Sequence, residues 1–288
     1  MDFVVNNAFS LMGTNPVEFT FNTGIPIHVR IFSPTLMTNT IQKTPARRID
    51  FPRSLSFLLR PGKVYGEMAT EARASWSTPM LILSVTAILV VIVAGYLKTR
   101  SAMMGEIPLP PDWQYWTPDM QNNYMQAQQA TQGPAFMYVI PMVGSLTGLW
   151  LGWLVLAGLL HLGSTLFGGR GSMQSALNVV AFASLPFAWR DVLRVVYMLL
   201  AGHAISSPGL SGFAANPGLV SQLLRHTDIF LVWNIVLLAV GFSISDGLPR
   251  GKALISVLIV MAILLLAQAG LGLVGSGLGG SAIQRPFF

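Results

Sequence analysis

Long apolar runs without a charge alternate along this chain with short polar knots. A hydrocarbon core about 30 Å thick takes roughly 20 residues of helix to cross. Five stretches approach that length. The first runs from Pro79 to Leu97 (PMLILSVTAILVVIVAGYL), with Pro79 suited to a helix start and Tyr96 to the far interface. The second, Met137 to Phe167, holds no charged residue and can span with tilt to spare. The third, Ala176 to Ala201, is apolar at both ends but carries Arg190, Asp191 and Arg194 in its middle, shortly after Pro186. The fourth and fifth, Ile229 to Ile244 and Ala253 to Val274, flank a knot containing Asp246, Pro249, Arg250 and Lys252. Strand-period alternation is absent from all five, which argues against a β-barrel. The pattern predicts an all-α polytopic membrane helix bundle with five transmembrane helices.

The distribution of basic residues orients this bundle, because positive loops tend to stay on the cytoplasmic side. Arg30, Lys43, Arg47, Arg48, Arg53, Arg60, Lys63 and Arg73 all precede the first run. The amino end is therefore expected inside and, after five crossings, the carboxyl end outside. The Arg170 turn and the Arg250/Lys252 turn then fall inside as well. Lys98 and Arg100 lie on the opposite side, against the trend. Omitting the third crossing would move the Arg250/Lys252 turn outside, so the charges favour five spans over four. In the knot itself, Asp246 and Gly247 end one span, Pro249 can begin the next helix, and Arg250 with Lys252 hold the turn in the cytoplasm.

Outside the membrane domain, residues 79–275, three segments remain. Residues 1–53 form an amino-terminal cytoplasmic segment; VEFTFNTGIPIHVRIF alternates weakly, like a hairpin around Thr23 and Gly24, but disorder fits equally. Residues 54–78 are juxtamembrane, and there Tyr65, Met68, Ala72 and Trp76 recur at helical spacing. Such an amphipathic helix rests on the inner membrane surface or packs against the cytoplasmic turns. Residues 276–288 are a tail. Between the first two spans, Trp113, Tyr115 and Trp116 suit an interfacial anchor or a partner contact. Thr117, Pro118 and Asp119 then provide a helix start.

Composition agrees with a membrane protein: 52% of residues are hydrophobic, 10% are charged, and mean hydropathy is +0.59. Cysteine is absent, which excludes disulfides, thiolate catalysis and cysteine metal sites. The pI near 10 does not point to nucleic acid, because the basic residues cluster just before a span, where anionic headgroups account for them. The opening MDFVVNNAFSLMG lacks a basic leader and a clear apolar core, so no cleavable signal peptide is expected. There is no zinc-binding histidine pair, nucleophile elbow, paired intramembrane aspartates or phosphate loop. Catalytic, cofactor-binding and metal-binding residues are thus expected to be absent, and the chain not to be an enzyme. The Gly-rich run Gly270 to Gly280 reads as a frayed helix end.

Ionisable groups at membrane depth are functional suspects by default. Asp191 and Arg194 sit three apart on a helix and can pair, while Arg190 and Arg194 share a face able to hold an anionic headgroup or a partner carboxylate. Three outcomes are open for Arg190, Asp191 and Arg194: a structural role after a break at Pro186, a lipid or partner site, and a transport path. His161 is a lone histidine near a span end, suited to a local hydrogen bond or a proton relay. Asn178, Asn234 and Gln268 place an amide in each of the last three spans, suited to interhelical hydrogen bonds of about 0.6 kcal/mol apiece. Gly144, Gly148 and Gly152 repeat every four residues as a packing ridge, within the bundle or between subunits.

The knot also carries a resemblance. Trp233 near the start of an apolar helix, Val240 to Phe242 near its end, and the turn Gly247-Leu248-Pro249-Arg250-Gly251-Lys252-Ala253 resemble the last two spans of the Yip-one domain family, the Ypt/Rab-interacting type with bacterial relatives. Ala176 to Trp189, with Pro186 in mid-helix, is similar to that family's third span, and Leu58 to Met68 to its lead-in. The charges after Pro186 are not part of the pattern. The resemblance implies five spans, a cytoplasmic amino end and no catalysis, with the bacterial branch favoured. It further implies a scaffold or accessory subunit in the bacterial inner (cytoplasmic) membrane. The partners implied are the lipid bilayer and other membrane proteins, such as an ABC-type exporter or a second copy. A transporter or channel subunit with a polar path at Arg190, Asp191 and Arg194 is the alternative.

Overall fold

Asp50 caps the first helix, α1 (Phe51–Leu59), by accepting the Arg53 N–H at 3.2 Å, with Pro52 in the opening turn. A computed structural model describes residues 50–70, 74–104, 109–110, 112–214, 216 and 218–281, with side chains to 275. They belong to one compact unit, Arg47–Phe288. The hairpin expected around Thr23, most of the segment 1–53, Ala72 and residues 282–288 lie outside the described residues.

Helix α2 (Pro61–Thr70) follows α1 at once. Its inward face, Val64, Tyr65 and Met68, is buried. The Tyr65 hydroxyl donates to the Val179 carbonyl at 3.5 Å, so α2 packs against the bundle instead of lying free on a membrane surface. Helix α3 (Ser77–Met103) is the first apolar run, and Trp76 directly precedes it. Thr117 caps α4 (Pro118–Thr131) through the Met120 N–H at 3.3 Å, with Pro118 and Asp119 in the first turn. Trp113 and Trp116 turn back onto Tyr124 of α4, with ring centroids 5.5 and 5.6 Å away, whereas Tyr115 stays exposed. A π-helical turn, Ala135–Val139, leads into α5 (Ile140–Leu166).

The third apolar run breaks at Ser184 into α6 (Met173–Ala183) and α7 (Leu185–Ala201). Pro186 has no N–H to continue the ladder, and the Phe187 N–H bonds the Ser184 carbonyl instead. At 1.5 Å per residue, α6 is about 16 Å long, too short to cross alone. It is the centre of the fold: Val179, Val180, Ala181, Phe182 and Ala183 are at most 1% exposed, as expected of an uninterrupted apolar stretch of helix. Helices α5, α9 (Ile229–Ser245) and α2 surround it. Helix α8 (Leu219–His226) meets α9 at a 65° bend and packs on α10 (Arg250–Ser281). The Gly-rich run forms the end of α10, helical to Ser281, and Gly272 accommodates the Gln222 side chain.

Among the described residues, three helical stretches are long and apolar enough to cross a membrane: Ser77–Met103, Ala135–Leu166 and Arg250–Gly275. The bent pair of α8 and α9 makes a fourth if it acts as one span.

Candidate functional site

Helix α7 is amphipathic. Val192, Leu193, Val196 and Leu200 are exposed, while Asp191 is buried. Arg190 Nε lies 3.5 Å from Asp191 Oδ1, and Arg194 reaches the same oxygen at 3.7 Å. The second Arg190 contact is to Asp228 Oδ2, 3.5 Å away, and the guanidinium carbon sits 4.6 Å from the centre of the Phe187 ring. Asp228 is also the cap of α9, accepting the Leu231 N–H on Oδ1 at 2.9 Å. One carboxylate therefore starts α9 and ties it to α7.

Two guanidinium groups and two carboxylates balance in formal charge. Each arginine therefore faces a carboxylate, which offsets part of the cost of taking these charges out of water. A cavity of about 270 Å³ opens beside them, lined by Arg190, Arg194, Tyr197, Ser207 and Asp228 among others. The Asp191–Arg194 pair was legible from spacing alone; Asp228 was not singled out. A polar residue directly before an apolar run is a cap signal, and it could have found Asp228, though not its pairing with Arg190.

The expected amides behave differently from one another. Asn178 Oδ1 accepts the Ser75 N–H at 2.9 Å, joining α6 to the lead-in of α3. Asn234, fully buried, donates to the Ala183 carbonyl at 2.8 Å, just before the break at Ser184, where the helix ladder changes register. Gln268 is exposed, not buried, and makes no interhelical hydrogen bond among the described residues. His161 is half-buried, and its Nδ1 has no hydrogen-bond partner there.

Gly144, Gly148 and Gly152 are exposed, and a methyl group at any of them would meet nothing within 4 Å. Among the described residues nothing covers the ridge. The close approaches occur at other glycines. A Cβ at Gly241 would lie 2.5 Å from Val179 Cγ1 and 2.9 Å from the Tyr65 ring, and one at Gly95 would meet the Tyr138 ring at 2.6 Å.

At the knot, Asp246 is 5% exposed and its backbone carbonyl accepts the Arg170 N–H at 3.1 Å. The Ser245 hydroxyl donates to Asp246 Oδ1 at 2.7 Å, and any side chain on Gly171 would run into the same carboxylate. The turn between α9 and α10 thus docks on the turn between α5 and α6. Gly247 takes the left-handed conformation, φ +68°, that ends α9. Pro249 stands just ahead of α10, its carbonyl accepting the Ala253 N–H at 3.0 Å, and Arg250 and Lys252 are exposed. Among the described residues no group of three His, Asp or Glu side chains could hold a metal ion.

The model of the Yip1 domain family matches residues 55–271, well over half of the chain. This protein belongs to the Yip1 domain family. The matched region begins within α1, ends within α10 and takes in both the ion-pair network and the knot. The chain is also 26% identical over 111 residues to "Membrane protein YknW" of Bacillus subtilis (strain 168), an alignment covering 38% of this chain. It spans about half the length of that relative, 48%. No solved structure matches. The chain is a bacterial Yip1-family membrane protein with several apolar helices.

Proposed function

We propose that this Yip1-domain protein is a non-catalytic scaffold or accessory subunit that binds other membrane proteins through its helix faces. The observation that carries this is the bare ridge of Gly144, Gly148 and Gly152 on α5, a surface on which a second helix can approach closely but no helix among the described residues does. The site is the inner (cytoplasmic) membrane of a bacterium. The chain crosses it five times, with α6 and α7 together as the third crossing and α9 as the fourth; the amino end is inside and the carboxyl end outside. An ABC-type export system or a second copy of the chain is the class of partner. A conducting path through Arg190, Asp191 and Arg194 is less well supported, because carboxylates engage both arginines.

The test compares wild type with Gly148→Leu, purified in mild detergent. The same membrane protein should accompany wild type and be lost from the variant, while both keep the same far-UV spectrum. A protein that purifies alone in every mild detergent overturns the scaffold role.

A further inference from the structure

Helices α1 and α2 are consecutive, yet their outward faces differ in kind. On α1, Phe51, Leu55 and Leu59 are 51%, 62% and 81% exposed, and they follow each other at four-residue spacing on one face. On α2 the outward residues include Lys63 and Glu67, an exposed ion pair at 3.9 Å. The inner face of α1 is committed: Phe57 is fully buried, edge-on to Tyr65 at 5.0 Å and to Phe182 at 5.3 Å.

Contacts also place α1 beside the start of the first long apolar helix. The Asp50 N–H donates to Thr78 Oγ1 at 2.9 Å, which puts the start of α1 beside the first turn of α3, one residue before its apolar run. From the cap of α6 at Ser172 to Phe182 is about 15 Å of helix, roughly half a hydrocarbon core. Helix α1 touches α3 and α7, whose own outward residues Leu81, Val85, Leu193 and Val196 are exposed and apolar. The apolar face of α1 therefore lies next to the exposed apolar residues of α3, a helix long enough to cross a membrane.

We propose that α1 lies within one leaflet of the bilayer, the one on the side of the α5–α6 and α9–α10 turns, with acyl chains covering Phe51, Leu55 and Leu59. Helix α2 carries the chain back to water, its Lys63 and Glu67 outside the hydrocarbon. The lead-in to the first span is then itself a lipid-binding surface.

The natural absence of cysteine makes single nitroxide labels unambiguous. Labels at Leu55→Cys, Leu59→Cys and Glu67→Cys are compared in vesicles of phosphatidylethanolamine and phosphatidylglycerol, by collision with oxygen and with a water-soluble nickel chelate. The oxygen-to-nickel ratio should be severalfold higher at 55 and 59 than at 67. Equal ratios overturn the proposal, since the face then meets water. Shielding from both reagents at 55 and 59 overturns it too, since protein then covers the face, whether another part of this chain or a second copy. Phe51→Cys replaces either α1 variant that fails to assemble, as judged by gel filtration.

Discussion

Asp228 does two separable things, and a set of four variants tells them apart. Its Oδ1 caps α9 and its Oδ2 holds Arg190 of α7. Loss of a cap oxygen typically destabilises by about 1 kcal/mol. The ion pair is closer to the interior: the Arg190 and Asp228 side chains are 26% and 16% exposed, and the charges stand 3.5 Å apart. With an effective dielectric constant of about 20, the gross attraction at that distance is about 5 kcal/mol. Desolvation offsets much of it, leaving a net coupling of about 1–3 kcal/mol. Asp228→Ser keeps a cap oxygen and removes the charge, and should cost about 1–3 kcal/mol. Asp228→Ala removes both and should cost about 1 kcal/mol more. Unfolding in dodecylmaltoside micelles by titrated dodecyl sulfate, followed by far-UV circular dichroism, measures each. With Arg190→Gln and the Asp228→Ser/Arg190→Gln double variant, the same assay yields the coupling energy. Equal stability of the Ser and Ala variants refutes the cap. A coupling within about 0.3 kcal/mol of zero refutes the tie between α7 and α9.

Gly241→Ala should destabilise by about 1–3 kcal/mol, because its methyl group meets Val179 and Tyr65 in a filled core; Gly148→Ala should be neutral or stabilise by up to about 1 kcal/mol, because its methyl group meets nothing and alanine is the better helix former. Both follow from the same micelle unfolding assay, and an equal effect of the two would refute the placement of the close contact. Tyr65 provides a pH signature. Burial holds its phenol well above its ordinary pKa, so the native state keeps a proton that the unfolded chain releases near pH 10. With fewer protons on the unfolded state, its contribution is complete below about pH 10 and falls as pH rises further. Tyr65→Phe should therefore lose less stability than wild type between pH 9 and pH 11, with about 1 kcal/mol or less lost at pH 7 for the weak 3.5 Å hydrogen bond. Parallel pH profiles would refute it.

Length and charge pattern alone, read along the sequence, located the α3, α5, α9 and α10 helices, because a bilayer-long apolar run needs no partner to be recognised. The α9–α10 turn was legible for the same local reason: glycine ends a helix, proline precedes the next, and exposed cations mark one side. What surrounds each helix was not legible. Asn178, Asn234 and Gln268 look alike in sequence, yet the first two join elements distant in the chain and Gln268 is exposed. The spaced glycines of α5 advertised a packed ridge, while close approaches between helices fell at Gly95, Gly163, Gly241 and Gly272, which repeat at no tell-tale interval. Asp228 lies 38 residues from Arg190, and only folding brings them together. Periodicity reports which face of a helix avoids water, but in a membrane both lipid and protein satisfy an apolar face. The sequence by itself therefore determined where the apolar helices lie, and the tertiary structure alone decided which of their faces meet each other.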